Sequence, residues 1–193
     1  MPSLSMRERS MGIKPAFLGA LLLTLALVLA GCEETVVKPP AEAEQAPSLE
    51  RPGLDGEMVR LADYRGEVVL LNFWATWCPY CQEEIPHLVD LQSDLGAEGL
   101  QVVGVALNWA FNSQESGDPA IFPDKVGSFA LENEMNYPTP LVRADMADVL
   151  NRFGNASGTI PYTLLIDREG RIRATFLGNP GEEKLRSAVQ RLL

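Results

Sequence analysis

One junction constrains this chain more than any other feature. An unbroken apolar run gives way to a Cys-x-x-Cys pair and then to a helix-patterned segment. The run is Val68-Val69-Leu70-Leu71-Asn72-Phe73-Trp74, and Trp77-Cys78-Pro79-Tyr80-Cys81 follows. Seven residues of that kind predict a strand covered on both faces. Ile85, Leu88 and Leu95 fall at helical spacing from Cys81, so the second cysteine opens an amphipathic helix. The N-terminus of a helix carries partial positive charge and free N–H groups, which favour thiolate over thiol. A thiolate there attacks disulfides, and a cysteine three residues on can resolve the mixed disulfide. The residues alone therefore describe a redox site.

The chain has only three cysteines, and the third has its own explanation. Cys32 closes Leu29-Ala30-Gly31-Cys32, after an apolar run from Ala16 to Val28 and behind the basic residues Arg7, Arg9 and Lys14. That is the layout of a secretory signal, and the run falls short of the roughly 20 residues that a membrane-spanning helix needs. Small residues ahead of a cysteine resemble the lipobox of bacterial lipoproteins, in which the cysteine is acylated and becomes the new N-terminus. An uncleaved anchor or a plain secretory signal is the alternative. Each of these places the domain outside the cytoplasm. With Cys32 lipidated, one dithiol remains, too closely spaced to staple a scaffold and suited to exchange.

Charge narrows the partners. The full chain carries −10; without residues 1–31 it has 13 basic and 25 acidic groups, or −12. Such a surface argues against nucleic acid and against electrostatic adhesion to anionic lipid, which leaves the acyl chains to hold the protein at a membrane.

Residues 1–31 are thus expected to be a lipoprotein signal peptide, 32–46 a Pro-, Glu- and Ala-rich flexible tether, and 47–193 one domain. Within the domain, Asp55-Gly56 predicts a hairpin turn with a short strand at 58–61. Further strands are expected at 68–73, 100–107, 162–166 and 171–177, with a short one at Leu141-Val142. Helices are expected at 79–95, about 123–134, behind an Asp145 N-cap up to 153, and at 182–192. Asn108 to Pro119 reads as a long turn that could serve partner specificity. The alternation, closed by a hairpin and a helix, describes a layered α/β domain.

Asn72 to Cys81 resembles the active-site segment of the thioredoxin fold, and the chain from about Ala46 onward resembles the TlpA/ResA-type extracytoplasmic thiol–disulfide oxidoreductases. The likeness includes Tyr64-Arg65-Gly66, the Asp145 segment, Gly158-Thr159-Ile160-Pro161 and Asp167-Arg168-Glu169-Gly170. It implies a thioredoxin-like fold, a central mixed β-sheet flanked by helices, with an N-terminal β-hairpin extension. Cys78 is then expected to be the exposed attacking thiol and Cys81 the buried resolving one. Pro79 suits the first turn of a helix. Trp77, Pro79, Tyr80, Ile160 and Pro161 are expected to meet the substrate, with a cis bond before Pro161 and Trp74 in the core. Thioredoxin has a buried aspartate where this chain has Asn72; Glu84 is expected to supply the missing proton acceptor, while Glu83 faces solvent and His87 has no catalytic role.

Other cysteine chemistries fit poorly. Gln82 stands where haem attachment needs a histidine, two cysteines cannot complete a structural zinc site, and Thr76 lies two rather than three residues before Cys78, unlike a peroxiredoxin. No metal and no organic cofactor is expected. The expected partners are client proteins with cysteines and a membrane electron donor, with the protein itself a monomer. The leading reading is a disulfide reductase of the kind that serves cytochrome c maturation. A disulfide oxidase or isomerase, and a binding or chaperone module without turnover, remain as alternatives.

Overall fold

The computed structural model describes residues 37–107, 122–143 and 145–193. Residues 1–31, Cys32 and the Asn108 to Pro119 turn lie outside the described residues. Strands are β1 (Glu44–Gln45), β2 (Glu50–Pro52), β3 (Met58–Arg60), β4 (Val68–Trp74), β5 (Leu100–Ala106), β6 (Tyr162–Ile166) and β7 (Arg171–Leu177). Helices are α1 (Pro79–Leu95), α2 (Phe122–Glu132), α3 (Met146–Arg152) and α4 (Glu182–Gln190). The main sheet runs β1-β7-β6-β4-β5. β4 is parallel to β5 and antiparallel to β6, so the sheet is mixed.

All seven residues of β4 are buried, because it has a strand on each edge and a layer on each face. One face packs Leu71 and Phe73 against Val149, Leu150 and Phe153 of the α3 region. The other packs Val68 and Leu70 against Leu88, Leu91 and Leu95 of α1 and Leu185 and Val189 of α4. Each fully buried Leu or Ile of this kind contributes about 1.5–3 kcal/mol.

Helix α1 begins and ends as its sequence predicts. Cys78 takes the N-cap position with extended backbone, and its Sγ accepts from the Cys81 N–H at 3.2 Å. Pro79 occupies the first turn, where its lack of an N–H costs nothing. The Asp55-Gly56 turn joins β2 to β3, and the Asp55 carboxylate accepts from the Glu57 N–H at 3.0 Å. The β6–β7 turn closes similarly: Asp167 accepts from the Arg171 N–H at 2.8 Å and pairs with Arg173 at 3.1 Å.

Three expectations need correction. The tether does not run free as far as residue 46. Lys38 N–H donates to Arg173 O, β1 pairs with β7, and Ala46 N–H donates to Gly170 O, because β7 would otherwise present an unpaired edge. Asp145 occupies the N-cap position of α3 but makes no side-chain cap; its carboxylate pairs with Arg51 instead. Leu141-Val142 forms only an isolated parallel bridge to Ala106.

Candidate active site

β4 delivers the chain to the start of α1, and there Cys78 and Cys81 are joined by a disulfide. Both sulfurs belong to a cluster with Trp74, Ala75, Ile85, Ala106 and Leu141, with Trp77 and Ile160 packed at its rim. Cys81 is fully buried, as expected of the inner cysteine. Cys78 is not the exposed residue expected from its place at the helix entrance: it is only 4% exposed in the disulfide form. Local sequence places it at the surface of a helix, but the Ile160 loop then closes over it. Its Sγ lies 3.8 Å from the Ile160 carbonyl oxygen.

The Ile160–Pro161 bond is cis. Asn155, buried, holds the loop before it by donating to Thr159 O at 2.8 Å, and Gly178 N–H donates to Pro161 O at 2.8 Å. Trp77 is half-buried, Pro79 is exposed, and Tyr80 is 66% exposed between the cysteines. Trp74 is fully buried, and Glu83 points to solvent while its neighbour Glu84 does not.

Glu84 is the least ordinary residue of the site. It lies three positions beyond Cys81 on α1 and has no exposed surface. Asn72 Nδ2 donates to its Oε2 at 2.8 Å, and Thr163 Oγ1 donates to Oε1 at 3.5 Å. Burial pushes its pKa up to about 7, against the opposing pull of those two hydrogen bonds. A carboxyl poised there can take and return a proton at neutral pH.

Three residues surround Glu84, of which the sequence marks only Asn72, at the position of the thioredoxin aspartate. Asn72 and Thr163 are directly opposite in the β4–β6 ladder and share a side-chain bond of 2.8 Å. Tyr137 is buried against the same face, and the Glu84 charge adds to burial in pushing its hydroxyl pKa well above the ordinary tyrosine value. Asn72 is also marked as a polar side chain inside an otherwise apolar strand, whereas Thr163 and Tyr137 carry no signal in the sequence. Among the described residues no group of acidic, His and Cys side chains could hold a metal ion.

Residues 43–175 match the model of the AhpC/TSA family. The chain belongs to that family. A relative within reach of sequence comparison is the thiol-disulfide oxidoreductase ResA of Geobacillus thermodenitrificans, 31% identical over 158 residues that span 82% of this chain and 80% of its own. Among solved structures, a candidate thiol:disulfide interchange protein DsbE from Chlorobium tepidum is 26% identical, with a TM-score of 0.64 over 78% of this chain and 96% of its own. A secreted thiol-disulfide isomerase from Corynebacterium glutamicum shares the fold, with a TM-score of 0.69 over 84% of this chain and 93% of its own at 23% identity. As an AhpC/TSA member with a thioredoxin-like fold and a Cys78–Cys81 pair at a helix entrance, the chain is a thiol–disulfide oxidoreductase. No helix among its described residues is long and apolar enough to cross a membrane.

Proposed function

We infer that this oxidoreductase works outside the cytoplasm as a reductase of client-protein disulfides. The observation that carries the reading is the joint placement of Cys78 against Ile160 and of buried Glu84 one turn beyond Cys81. In the reduced enzyme the Cys78 thiolate attacks a client disulfide. One client sulfur leaves as a thiolate and takes a proton from solvent, while the other stays bonded to Cys78. The client segment lies along Trp77, Pro79, Tyr80 and the Ile160-Pro161 loop. Glu84 then accepts the Cys81 proton, and the Cys81 thiolate attacks Cys78 Sγ. The second client sulfur departs with the proton from Glu84. Two electrons have passed to the client, and the Cys78–Cys81 disulfide remains.

A membrane dithiol donor would recharge the pair, and haem-binding cysteines of cytochrome c are a fitting client class. The N-terminal signal pattern ending at Cys32 supports a lipid anchor and an extracytoplasmic setting. Ile160 ahead of the proline resembles the reducing choice, whereas Pro79 directly after Cys78 also suits an oxidase or isomerase.

Equilibration of the pair with defined dithiol buffers separates these directions. Thioredoxin-fold proteins span about −270 to −120 mV, a gap of roughly 7 kcal/mol for two electrons. A potential near the low end is expected. One near the high end would replace the reductase with an oxidase acting on reduced client thiols.

A further inference from the structure

Four buried polar side-chain atoms have no hydrogen-bond partner among the described residues, and three of them, Asn72 Oδ1, Trp74 Nε1 and the Tyr137 hydroxyl, belong to the layer of the sheet that holds Glu84. The strand register gathers them. Asn72 and Trp74 are two apart on β4 and therefore share a face, and Asn72 is paired with Gly104 of β5. A Cβ on Gly104 would stand 2.8 Å from the Tyr137 ring at Cε2 and 3.1 Å from Trp74 Nε1. Glycine thus lets the phenol and the indole settle onto the sheet beside Asn72. All three side chains are more than nine-tenths buried.

Buried polar groups left without partners are rare, and internal waters, typically with about three hydrogen bonds each, are the usual remedy. The set here has complementary valences. The indole can only donate, the Asn72 amide is oriented by its Nδ2 bonds to Glu84 and Thr163 so that the acceptor oxygen is the free end, and the phenol can donate. We propose that one internal water joins Tyr137, Trp74 and Asn72 to the Glu84 carboxylate, which makes Tyr137 a positioning residue for the proton step. The water accepts from Trp74 and Tyr137 and donates to Asn72 Oδ1 and to Glu84. No covalent bond changes; the chain of hydrogen bonds favours the ionised carboxylate and turns over when Glu84 is protonated. This inference rests on the proton role given to Glu84 above.

Among the described residues, few groups face Glu84. β4 and β6 contribute neutral Asn72 and Thr163, and the segment after α2 contributes Tyr137. α1 itself carries Cys81 a turn earlier and His87 three residues later, with the His87 Nδ1 buried and unpaired among the described residues.

The test is a high-resolution crystal structure of the full chain together with single-turnover oxidation of the reduced protein by glutathione disulfide across pH. Tyr137→Phe keeps the ring on Gly104 and removes only the hydroxyl. The expected result is an ordered water touching all three side chains in the parent, and a midpoint of the Glu84-dependent step moved up by about half to one pH unit in the variant. A Tyr137→Phe profile that overlays the parent in a folded protein overturns the inference, as does a parent structure with no such water. Glu84→Gln separates the two levels. If it removes the midpoint while Tyr137→Phe leaves it in place, only the water bridge falls. If Glu84→Gln leaves the profile unchanged, the proton role of Glu84 falls with it, and Tyr137 loses its assignment.

Discussion

The two faces of β4 are built from alternate residues of one strand, yet they differ in kind. Leu71 and Phe73 look into a mainly apolar layer, where Phe73 meets the rings of Phe153 and Tyr162 at centroid distances of 5.3 and 5.9 Å and the Tyr162 hydroxyl is satisfied by the Phe153 carbonyl. Asn72 and Trp74 look the other way, into a layer that contains a buried carboxyl, a threonine and a tyrosine. The first face resembles a core chosen for packing alone. The second gives up apolar contact for hydrogen-bonded groups that hold a titratable proton, and α1 sets the dithiol on that same side. Stability and chemistry are thereby divided between two sides of one strand, which explains how a redox site with a costly buried acid can be carried without loosening the domain.

The division can be broken at its chemical end first. Cys78→Ser is expected to abolish disulfide exchange while leaving the fold intact, since serine also caps a helix. Residual exchange at the parent rate would mean that turnover does not begin at Cys78. On the apolar face, Phe73→Ala is expected to cost about 3–5 kcal/mol in denaturant unfolding with the reduction potential unchanged. A shifted potential would show that the two faces are coupled.

Glu84 gives the comparison a pH axis. Its folded pKa is raised from 4.5 to about 7, so between those values the folded state holds a proton that the unfolded chain has released. The Glu84 contribution to stability is therefore greatest below about pH 4.5, falls as pH rises toward 7, and levels off above. The loss from this one group is of the order of 3 kcal/mol. Urea unfolding of the oxidised protein, in which the cysteines do not titrate, should show that decline, and Glu84→Gln should remove it. A decline of equal size in the variant would place its origin elsewhere. The smallest effect is expected from Thr163→Val, which deletes a long 3.5 Å bond to Glu84 and the acceptor for Asn72. It should cost about 1 kcal/mol and move the Glu84 transition slightly upward; a downward movement would contradict the hydrogen-bond assignment.

Local chemistry made most of this molecule legible from its residues. The α1 boundaries follow from Pro79 at the first turn and the spacing of Ile85, Leu88 and Leu95. The β6 and β7 limits follow from a mostly apolar run before the Asp167–Gly170 turn and an alternating polar and apolar stretch after it. The dithiol is readable because both its members and its helix lie within a few residues of each other. Glu84 was marked by its offset from Cys81, one helical turn.

What surrounds Glu84 was decided only by tertiary structure. Asn72 and Thr163 are 91 positions apart and meet through strand pairing, and Tyr137 reaches the same layer because Gly104 yields it the space. The Ile160 loop covers Cys78 from 82 residues away, which no helical pattern could announce. Residues 38–46 looked like tether because their composition buries little, yet β7 needed an edge partner and their backbone supplied it. Periodicity and turn chemistry act over a few residues and can be read in order along the chain. Burial, register and the partner of a buried polar atom depend on residues brought together by folding, and those set the pKa and the shape of this site.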